Sequence, residues 1–212
     1  MKAQKVLEIL KKNYKNTGTA LKFSSVFQLS VAVILSAQCT DERVNMVTSK
    51  LFQKLSEPKD FANVKPKELE KMIYSTGFYK NKAKNIIKMS KKILDEYDGK
   101  VPQSMEELIK LPGIGRKTAN IILSEGYGII EGIAVDTHVS RLAQRIGLSK
   151  NKEPEKIEKD LMQQFPKKDW WFLSNALIWH GRKICTARKP KCSECEIRQY
   201  CEFFKNNENL FK

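Results

Sequence analysis

Apolar residues recur at helical spacing along almost the whole chain, and this periodicity constrains the fold more than any other feature. FQLSVAVILSA (27–37), AKNIIKMSKKILDEY (83–97) and THVSRLAQRIG (137–147) place apolar side chains three or four residues apart. No alternating apolar and polar segment of useful length interrupts the pattern. The sequence therefore predicts an all-α protein.

Two stretches of the chain resemble each other. KPKELEKMIYSTGFYKNKAKNIIKMS (65–90) and VPQSMEELIKLPGIGRKTANIILS (101–124) both indicate a helix, a glycine-containing turn and a second helix. Lys82 in the first stretch matches Lys117 in the second, but only the second has a G-x-G turn. Two similar helix pairs without common ancestry would give the same pattern.

The segment LPGIGRKTAN (111–120) predicts a tight hairpin between two helices. Gly113 and Gly115 can take positive φ and let another backbone approach closely. Amides at a helix N-terminus favour an anion, and Arg116 and Lys117 add positive charge there. P-G-x-G alone indicates only a turn. Between two helices and before R-K-T-A-N, it indicates a helix-hairpin-helix motif that grips the DNA backbone without reading bases.

The charge balance favours a polyanionic partner. The 212 residues include 39 Lys+Arg against 24 Asp+Glu, a formal net charge of +15. Nucleic acid is the first candidate and an anionic membrane the second, while a solvated lysine-rich surface would also account for the composition. The apolar run LSVAVILSA (29–37) is too short to span a bilayer. The N-terminus lacks a secretion signal, so we expect a cytoplasmic protein.

Four cysteines lie close together near the end of the sequence, in the spacing C-x6-C-x2-C-x5-C. An intracellular chain with such a cluster is more typical of a metal protein than of a disulfide scaffold. By spacing alone, four thiolates suit either tetrahedral zinc or a [4Fe–4S] cluster. The candidate ligands are Cys185, Cys192, Cys195 and Cys201.

The order of motifs resembles the endonuclease III family, the DNA glycosylases/AP lyases of the helix-hairpin-helix superfamily that carry an iron–sulfur cluster. LSAQCTDERVN, STGFYKNKAKNI, LPGIGRKTAN, AVDTHVSRLAQRIG and the C-terminal cysteines carry the resemblance nearly end to end. It implies two helical domains with a DNA-binding groove between them. One spans residues 19–129, with the helix-hairpin-helix at about 104–124; the other combines 1–18 with 130–212 and holds the cluster loop 185–201.

The resemblance implies a base excision repair enzyme that removes oxidised pyrimidines and then cleaves 3′ to the abasic site by β-elimination. Lys117 would be the amine that forms a Schiff base with the sugar, and Asp136 the matching carboxylate. A lysine amine must lose its proton before it can attack. By itself, Asp136 before THVSRLAQRIG is a helix N-cap. An ionised N-cap can also stabilise positive charge on the sugar, so the two roles are compatible.

Further DNA contacts follow from the resemblance. Gln38 would fill the gap left by the extruded nucleotide, and Phe78, where many relatives carry Leu, would wedge the opposite strand. A core aromatic is the competing interpretation of Phe78. His138 would contact DNA or pair with Asp136, or would be structural. The remaining candidates, in the hairpin and in a basic loop between the first two cysteines, are Gly113, Ile114, Gly115, Arg116, Thr118, Arg188, Lys189 and Lys191.

The cysteine spacing is the one this family uses for one [4Fe–4S] cluster, so the resemblance implies that cofactor. The expected partner is double-stranded DNA with oxidised pyrimidines or abasic sites, with no membrane partner. We expect a monomer associated with the bacterial nucleoid. A related adenine DNA glycosylase lacks the lysine found here at position 117. The alternatives from another class are a non-catalytic DNA-binding metalloprotein and a damage sensor whose cluster serves charge transfer.

Overall fold

A computed structural model describes residues 2–15, 17–207 and 209, and short loops join its helices. Over those residues no strand forms, which confirms the prediction of an all-α fold. The α-helices are α1 (Lys2–Asn13), α2 (Val26–Ser36), α3 (Asp41–Leu51), α4 (Pro58–Asn63), α5 (Pro66–Ile73), α6 (Tyr79–Glu96), α7 (Met105–Leu108), α8 (Arg116–Ile121), α9 (Thr137–Ile146), α10 (Pro154–Gln164), α11 (Trp170–Lys183) and α12 (Glu202–Asn206). In the described part of the chain no helix combines the length and apolar character needed to cross a bilayer.

The chain divides into two compact units. The hairpin unit is Thr19–Glu131, and the cysteine unit is Met1–Gly18 together with Gly132–Lys212. The division falls in the loop after α8, so the candidate nucleophile and the candidate carboxylate belong to different units. Each unit has its own buried apolar core.

The centre of the hairpin unit is α2, whose sequence VFQLSVAVILS is apolar on nearly all sides. A helix of this kind must be enclosed by other elements. Ser25 caps it, because its Oγ accepts a hydrogen bond from the Gln28 amide at 3.1 Å. The rings of Phe27 and Phe61 meet edge to face at 5.4 Å and join α2 to α4. Burial of each large apolar side chain contributes about 1.5–3 kcal/mol.

The cysteine unit is built on α9 and α11, with α1 packed beside them. Val6, Leu7 and Leu10 of α1 are buried in the same core as Leu142 of α9 and Leu177 of α11. Val6 and Leu7 precede Leu10 by four and three positions, so a helix places all three side chains on one face. The N-terminal helix thus helps to position the elements that carry the cysteines.

Candidate active site and metal centre

The hairpin turn lies between α7 and α8. The Ile114 amide donates to the carbonyl of Leu111 at 3.1 Å, which closes the turn. Gly113 has φ +85°, and a Cβ added there would lie 3.0 Å from the Cβ of Asn85 in α6. Both the backbone conformation and the close packing therefore require glycine at this position.

The second glycine of the turn behaves differently. Gly115 has φ −99° and ψ 176°, an extended conformation open to any residue, so the expected positive φ is found at Gly113 alone. Glycine adopts both signs of φ at little cost, which is why the sequence did not distinguish the two. A Cβ added at Gly115 would meet nothing within 4 Å. The N-terminus of α8 therefore faces open space.

Lys117 is the second residue of α8 and is exposed, as is Arg116. Thr118 is half-buried, while the side chain of Ile114 packs in the core of the hairpin unit. Ile114 can therefore contribute to DNA binding only through its backbone, a restriction that the motif alone did not reveal. After Ile121 the helix continues as a π-helical turn, Ile122–Gly126.

Lys82, at the matching position in the first helix pair, is 5% exposed. Its Nζ donates to the carbonyls of Leu35 and Thr76, both at 2.8 Å. Burial lowers the pKa of Lys82, and nearby Cys39 opposes that shift. Of the two matching lysines, only Lys117 presents its side chain to solvent.

Gln38 and Phe78 share an unusual backbone. Gln38 has φ 54° and Phe78 has φ 47°; among the described residues the third non-glycine with positive φ is Asp98. Such conformations cost about 1–3 kcal/mol and concentrate at functional sites. Gln38 is exposed and Phe78 is 63% exposed, so the interpretation of Phe78 as a core aromatic is wrong.

Asp136 caps α9, as predicted. Its Oδ1 accepts a hydrogen bond from the Val139 amide at 2.8 Å, and its backbone is extended. The hydrogen bond satisfies one of the backbone amides that have no partner within the helix at its N-terminus. The side chain is half-buried, so part of it remains open to solvent.

His138 is held by Arg141, a residue that sequence reasoning missed. Arg141 Nη2 lies 3.1 Å from His138 Nδ1 and donates at 3.0 Å to the carbonyls of both Gly181 and Cys185. Burial lowers the pKa of His138, although the Asp136 carboxylate opposes the shift, so the imidazole is neutral at neutral pH. The spacing of three residues between His138 and Arg141 is the one signal that could have indicated the pair.

All four clustered cysteines line one cavity. None of them is in a disulfide. Apolar side chains supply much of the remaining wall, among them Leu142, Ile146, Ile184, Ile197, Phe203 and Phe204. No three His, Cys, Asp or Glu side chains of the described residues are grouped tightly enough to ligate a single ion; the cysteines instead surround this shared space.

The chemistry of the cavity suits an iron–sulfur cluster. Burial raises the pKa of the Cys195 thiol to about 12 and also raises the pKa values of the Cys192 and Cys201 thiols. Metal binding would displace these protons, because thiolates are the ligands. Arg145 Nη1 donates to Cys185 Sγ at 3.3 Å, and hydrogen bonds to ligand sulfurs help to set a cluster's reduction potential.

The basic loop between the first two cysteines is fixed by the protein itself. Arg145 donates to the carbonyls of Thr186 and Ala187, both at 2.8 Å. The Lys191 amide donates to the carbonyl of Ile184 at 2.9 Å, which closes the loop. The sequence motifs gave no sign of this role for Arg145. The loop's three predicted DNA contacts are exposed: Arg188, Lys189 and Lys191.

Two family models match the sequence. Residues 31–167 match the HhH-GPD superfamily of base excision DNA repair proteins. Residues 185–201, which contain all four cavity cysteines, match the iron–sulfur binding domain of endonuclease III.

Individual relatives match over nearly the full chain. Endonuclease III of Synechocystis sp. is 51% identical over 200 residues, which cover 94% of this chain and 91% of the relative. The structure of a non-covalent endonuclease III–DNA complex superposes with a TM-score of 0.93, 40% identity and 99% coverage of both chains. A trapped endonuclease III–DNA covalent intermediate gives a TM-score of 0.92, 40% identity, and coverage of 97% of this chain and 98% of that one.

Proposed function

The chain belongs to the endonuclease III family within the HhH-GPD superfamily of base excision DNA repair proteins, and from that premise we propose how its residues carry out the reaction. It is a DNA glycosylase/lyase that binds DNA and carries an iron–sulfur cluster. We further propose that it removes oxidised pyrimidines and then cleaves 3′ to the abasic site. Solved relatives include one bound to DNA and one trapped covalently on it, which supports a covalent route.

The observation that carries the mechanism is the contrast between the exposed Lys117 and the buried Lys82. The neutral amine of Lys117 attacks C1′ of the sugar, a C–N bond forms, and the glycosidic bond breaks with release of the base. The C1′–O4′ bond then breaks, O4′ takes up a proton, and the nitrogen of Lys117 forms the C=N bond of a Schiff base, which makes the C2′ proton acidic. Loss of that proton expels the 3′ phosphate by β-elimination. Lys117 is the nucleophile in this proposal because its amine can be reached.

Asp136 supplies the carboxylate. It lies at the N-terminus of α9, and a carboxylate there can stabilise positive charge that develops on the sugar. The same carboxylate can take up a proton as the amine attacks. We therefore propose that Lys117 and Asp136 reach one sugar in the enzyme–DNA complex.

Before chemistry, the damaged nucleotide must leave the helical stack. We propose that Gln38 fills the space it leaves and that Phe78 wedges the opposite strand. The exposure and left-handed backbone of both residues support this role. Damaged bases cost less to unstack, which favours lesions over intact pyrimidines.

We propose that the remaining contacts grip phosphates. The backbone from Gly113 to Gly115, with Arg116 and Thr118, lies beside the open space at α8. His138 would contribute a neutral imidazole, since its pKa is lowered. Arg188, Lys189 and Lys191 supply charge from a loop that Arg145 holds in place. In this proposal one copy of the chain binds one double-stranded site.

The cluster is proposed to be a single [4Fe–4S] held by Cys185, Cys192, Cys195 and Cys201. When bound, it cross-links short segments that have little core of their own. The chain's residues contribute the four sulfurs, the apolar cavity and the hydrogen bond from Arg145.

Single-turnover assays on a duplex with one thymine glycol, beside the same duplex with thymine, test the function. We expect base release and strand cleavage on the damaged duplex alone. Iron, sulfide and zinc analysis of the same protein tests the cluster, and about four irons per chain are expected. Binding without base release would instead indicate a non-catalytic DNA-binding metalloprotein, and stoichiometric zinc would remove the cluster from the account.

A further inference from the structure

The buried ammonium of Lys82 is not used by the proposed mechanism. Lys82 is 5% exposed, and burying its ammonium this far from solvent carries a large desolvation cost. A methionine of similar length would avoid that cost. Its two acceptors at 2.8 Å, the carbonyls of Leu35 and Thr76, are neutral. What the ammonium accomplishes must therefore lie in what it connects.

Each acceptor belongs to the end of a local structure. Leu35 is in the last turn of α2, where carbonyls lack an intrahelical partner and a cation is favoured. Thr76 ends the 3-10 turn before Gly77. The Lys82 amide also donates to the carbonyl of Phe78 at 3.1 Å. Residue 82 thus holds the end of α2 and both ends of the short Thr76–Phe78 turn.

These three anchor points stand at the base of two exposed loops. Leu35 precedes Gln38 by three residues, and Thr76 precedes Phe78 by two. Gln38 and Phe78 both have left-handed backbone, a conformation that persists when the surroundings fix it. The side chain of Lys82 contacts the base of both loops, through the carbonyls of Leu35 and Thr76.

We propose that Lys82 is a positioning residue that fixes the Gln38 loop and the Phe78 loop at a set separation. With the two loops so held, both side chains enter the duplex in one step as the nucleotide leaves the stack. This inference rests on the proposed function, which assigns Gln38 and Phe78 to strand insertion. Without the ammonium, the two loops move independently, and insertion loses its preorganisation.

The test replaces Lys82 with methionine and measures insertion directly. A 2-aminopurine opposite the lesion reports unstacking by its fluorescence, whether or not the base is later removed. We expect Lys82→Met to slow the fluorescence rise by about tenfold or more, because methionine loses both buried hydrogen bonds of the ammonium and the loss of one alone can give about tenfold. Lys88→Met, which removes an exposed charge from the same helix, should leave the rise unchanged.

A general loss of stability is excluded by a second control. Met89 is fully buried in the same helix, so Met89→Ala should lower the melting temperature without slowing the fluorescence rise. Should Lys82→Met not fold, Lys82→Gln keeps a neutral donor of shorter reach and is expected to slow insertion as well. If Met89→Ala slows insertion as much as the Lys82 variant at equal stability, the positioning role is refuted.

A double-mutant cycle separates positioning from an unrelated defect. Each Lys82 variant is combined with Gln38→Ala plus Phe78→Ala, and the fluorescence rise is measured again. If Lys82 acts through the loops, its substitution has little further effect once both loop side chains are gone. Additive effects, or loop variants that insert like wild type, overturn the inference. Wild-type protein that unstacks the duplex but releases no base would overturn the proposed function while leaving this test intact.

Discussion

Two lysines at matching positions of two helix pairs have opposite environments. Lys82 is enclosed and holds two carbonyls, whereas Lys117 extends from the start of α8 into solvent. The same residue type can therefore serve as a structural clamp in one pair and as a candidate nucleophile in the other. The turns before the two lysines also differ, because Gly113 of the second hairpin packs tightly against Asn85 and the first hairpin has no G-x-G turn.

Replacing Lys117 by glutamine should abolish base release and strand cleavage while DNA affinity is largely retained. The amide cannot form a Schiff base, whereas the hairpin's backbone amides are unchanged. Gel-shift affinity and single-turnover kinetics on the same thymine glycol duplex measure the two effects. Lys84→Gln, an exposed change in α6, is the matched control and should cleave at the wild-type rate. Normal cleavage by the Lys117 variant would show that another group is the nucleophile.

Replacing Asp136 by asparagine should slow base release by about 10²–10³-fold, the usual effect of removing one electrostatic contribution to a transition state. Asparagine is as good an N-cap as aspartate, so the melting temperature of the variant should equal that of the wild type. Cleavage of a preformed abasic site should suffer less, because no glycosidic bond has to break. Asp136→Ala separates the two roles, since it should also lose about 1 kcal/mol of stability. Equal losses on both substrates would place Asp136 in the lyase step instead.

At the scale of elements, the two glycines of the hairpin turn have different structural requirements. Gly113 is needed for the fold, because its φ is +85° and a Cβ would press on Asn85. Gly115 has an ordinary extended backbone and open space around it. Glycine at this open position leaves room for another backbone to come close, so we expect DNA to approach there.

The two glycines predict opposite results for the same substitution. Gly113→Ala should lower stability by at least about 1–2 kcal/mol, the cost of a left-handed backbone with a Cβ. Gly115→Ala should leave stability unchanged or raise it by about 0.4–1 kcal/mol, since alanine fits that backbone and restricts the unfolded chain. Its methyl group should weaken DNA binding. Thermal melts and gel-shift titrations of both variants measure the contrast. Wild-type DNA affinity in Gly115→Ala would remove this turn from the DNA interface.

At the scale of the whole molecule, local patterns in the sequence predicted a good deal. The spacing of apolar residues predicted the helices, and the position of Asp136 just before a helical segment predicted that it caps that helix. Contacts between residues far apart in the sequence could not be predicted from local patterns. The hydrogen bond from Lys82 to Leu35 spans 47 positions, and that from Arg145 to Ala187 spans 42. The periodicity of α6 places Lys82 on the same face as the buried Ile86 and Met89, but it does not identify the carbonyls that its ammonium binds. For the same reason the roles of Arg141 and Arg145 emerged only from the fold.

The net charge of +15 predicts DNA binding that weakens steeply with salt. Each phosphate contact releases counterions and contributes about −0.9 to the slope of log affinity against log salt. Replacing both Arg188 and Lys191 by alanine should make the slope shallower by up to about 1.8. Lys156→Ala, at an exposed side chain of α10, serves as the control and should keep the wild-type slope. An unchanged slope in the double variant would mean that the basic loop does not touch phosphate.

Borohydride trapping on an abasic duplex, followed by peptide mass spectrometry, tests the central claim most directly. Reduction of the Schiff base turns a transient bond into a stable secondary amine between protein and sugar. We expect a covalent complex whose modified peptide carries the sugar remnant on Lys117. A cross-link at Lys82, or at any other amine, would contradict the assignment. No cross-link from protein that binds and cleaves the same duplex would contradict the Schiff-base mechanism itself.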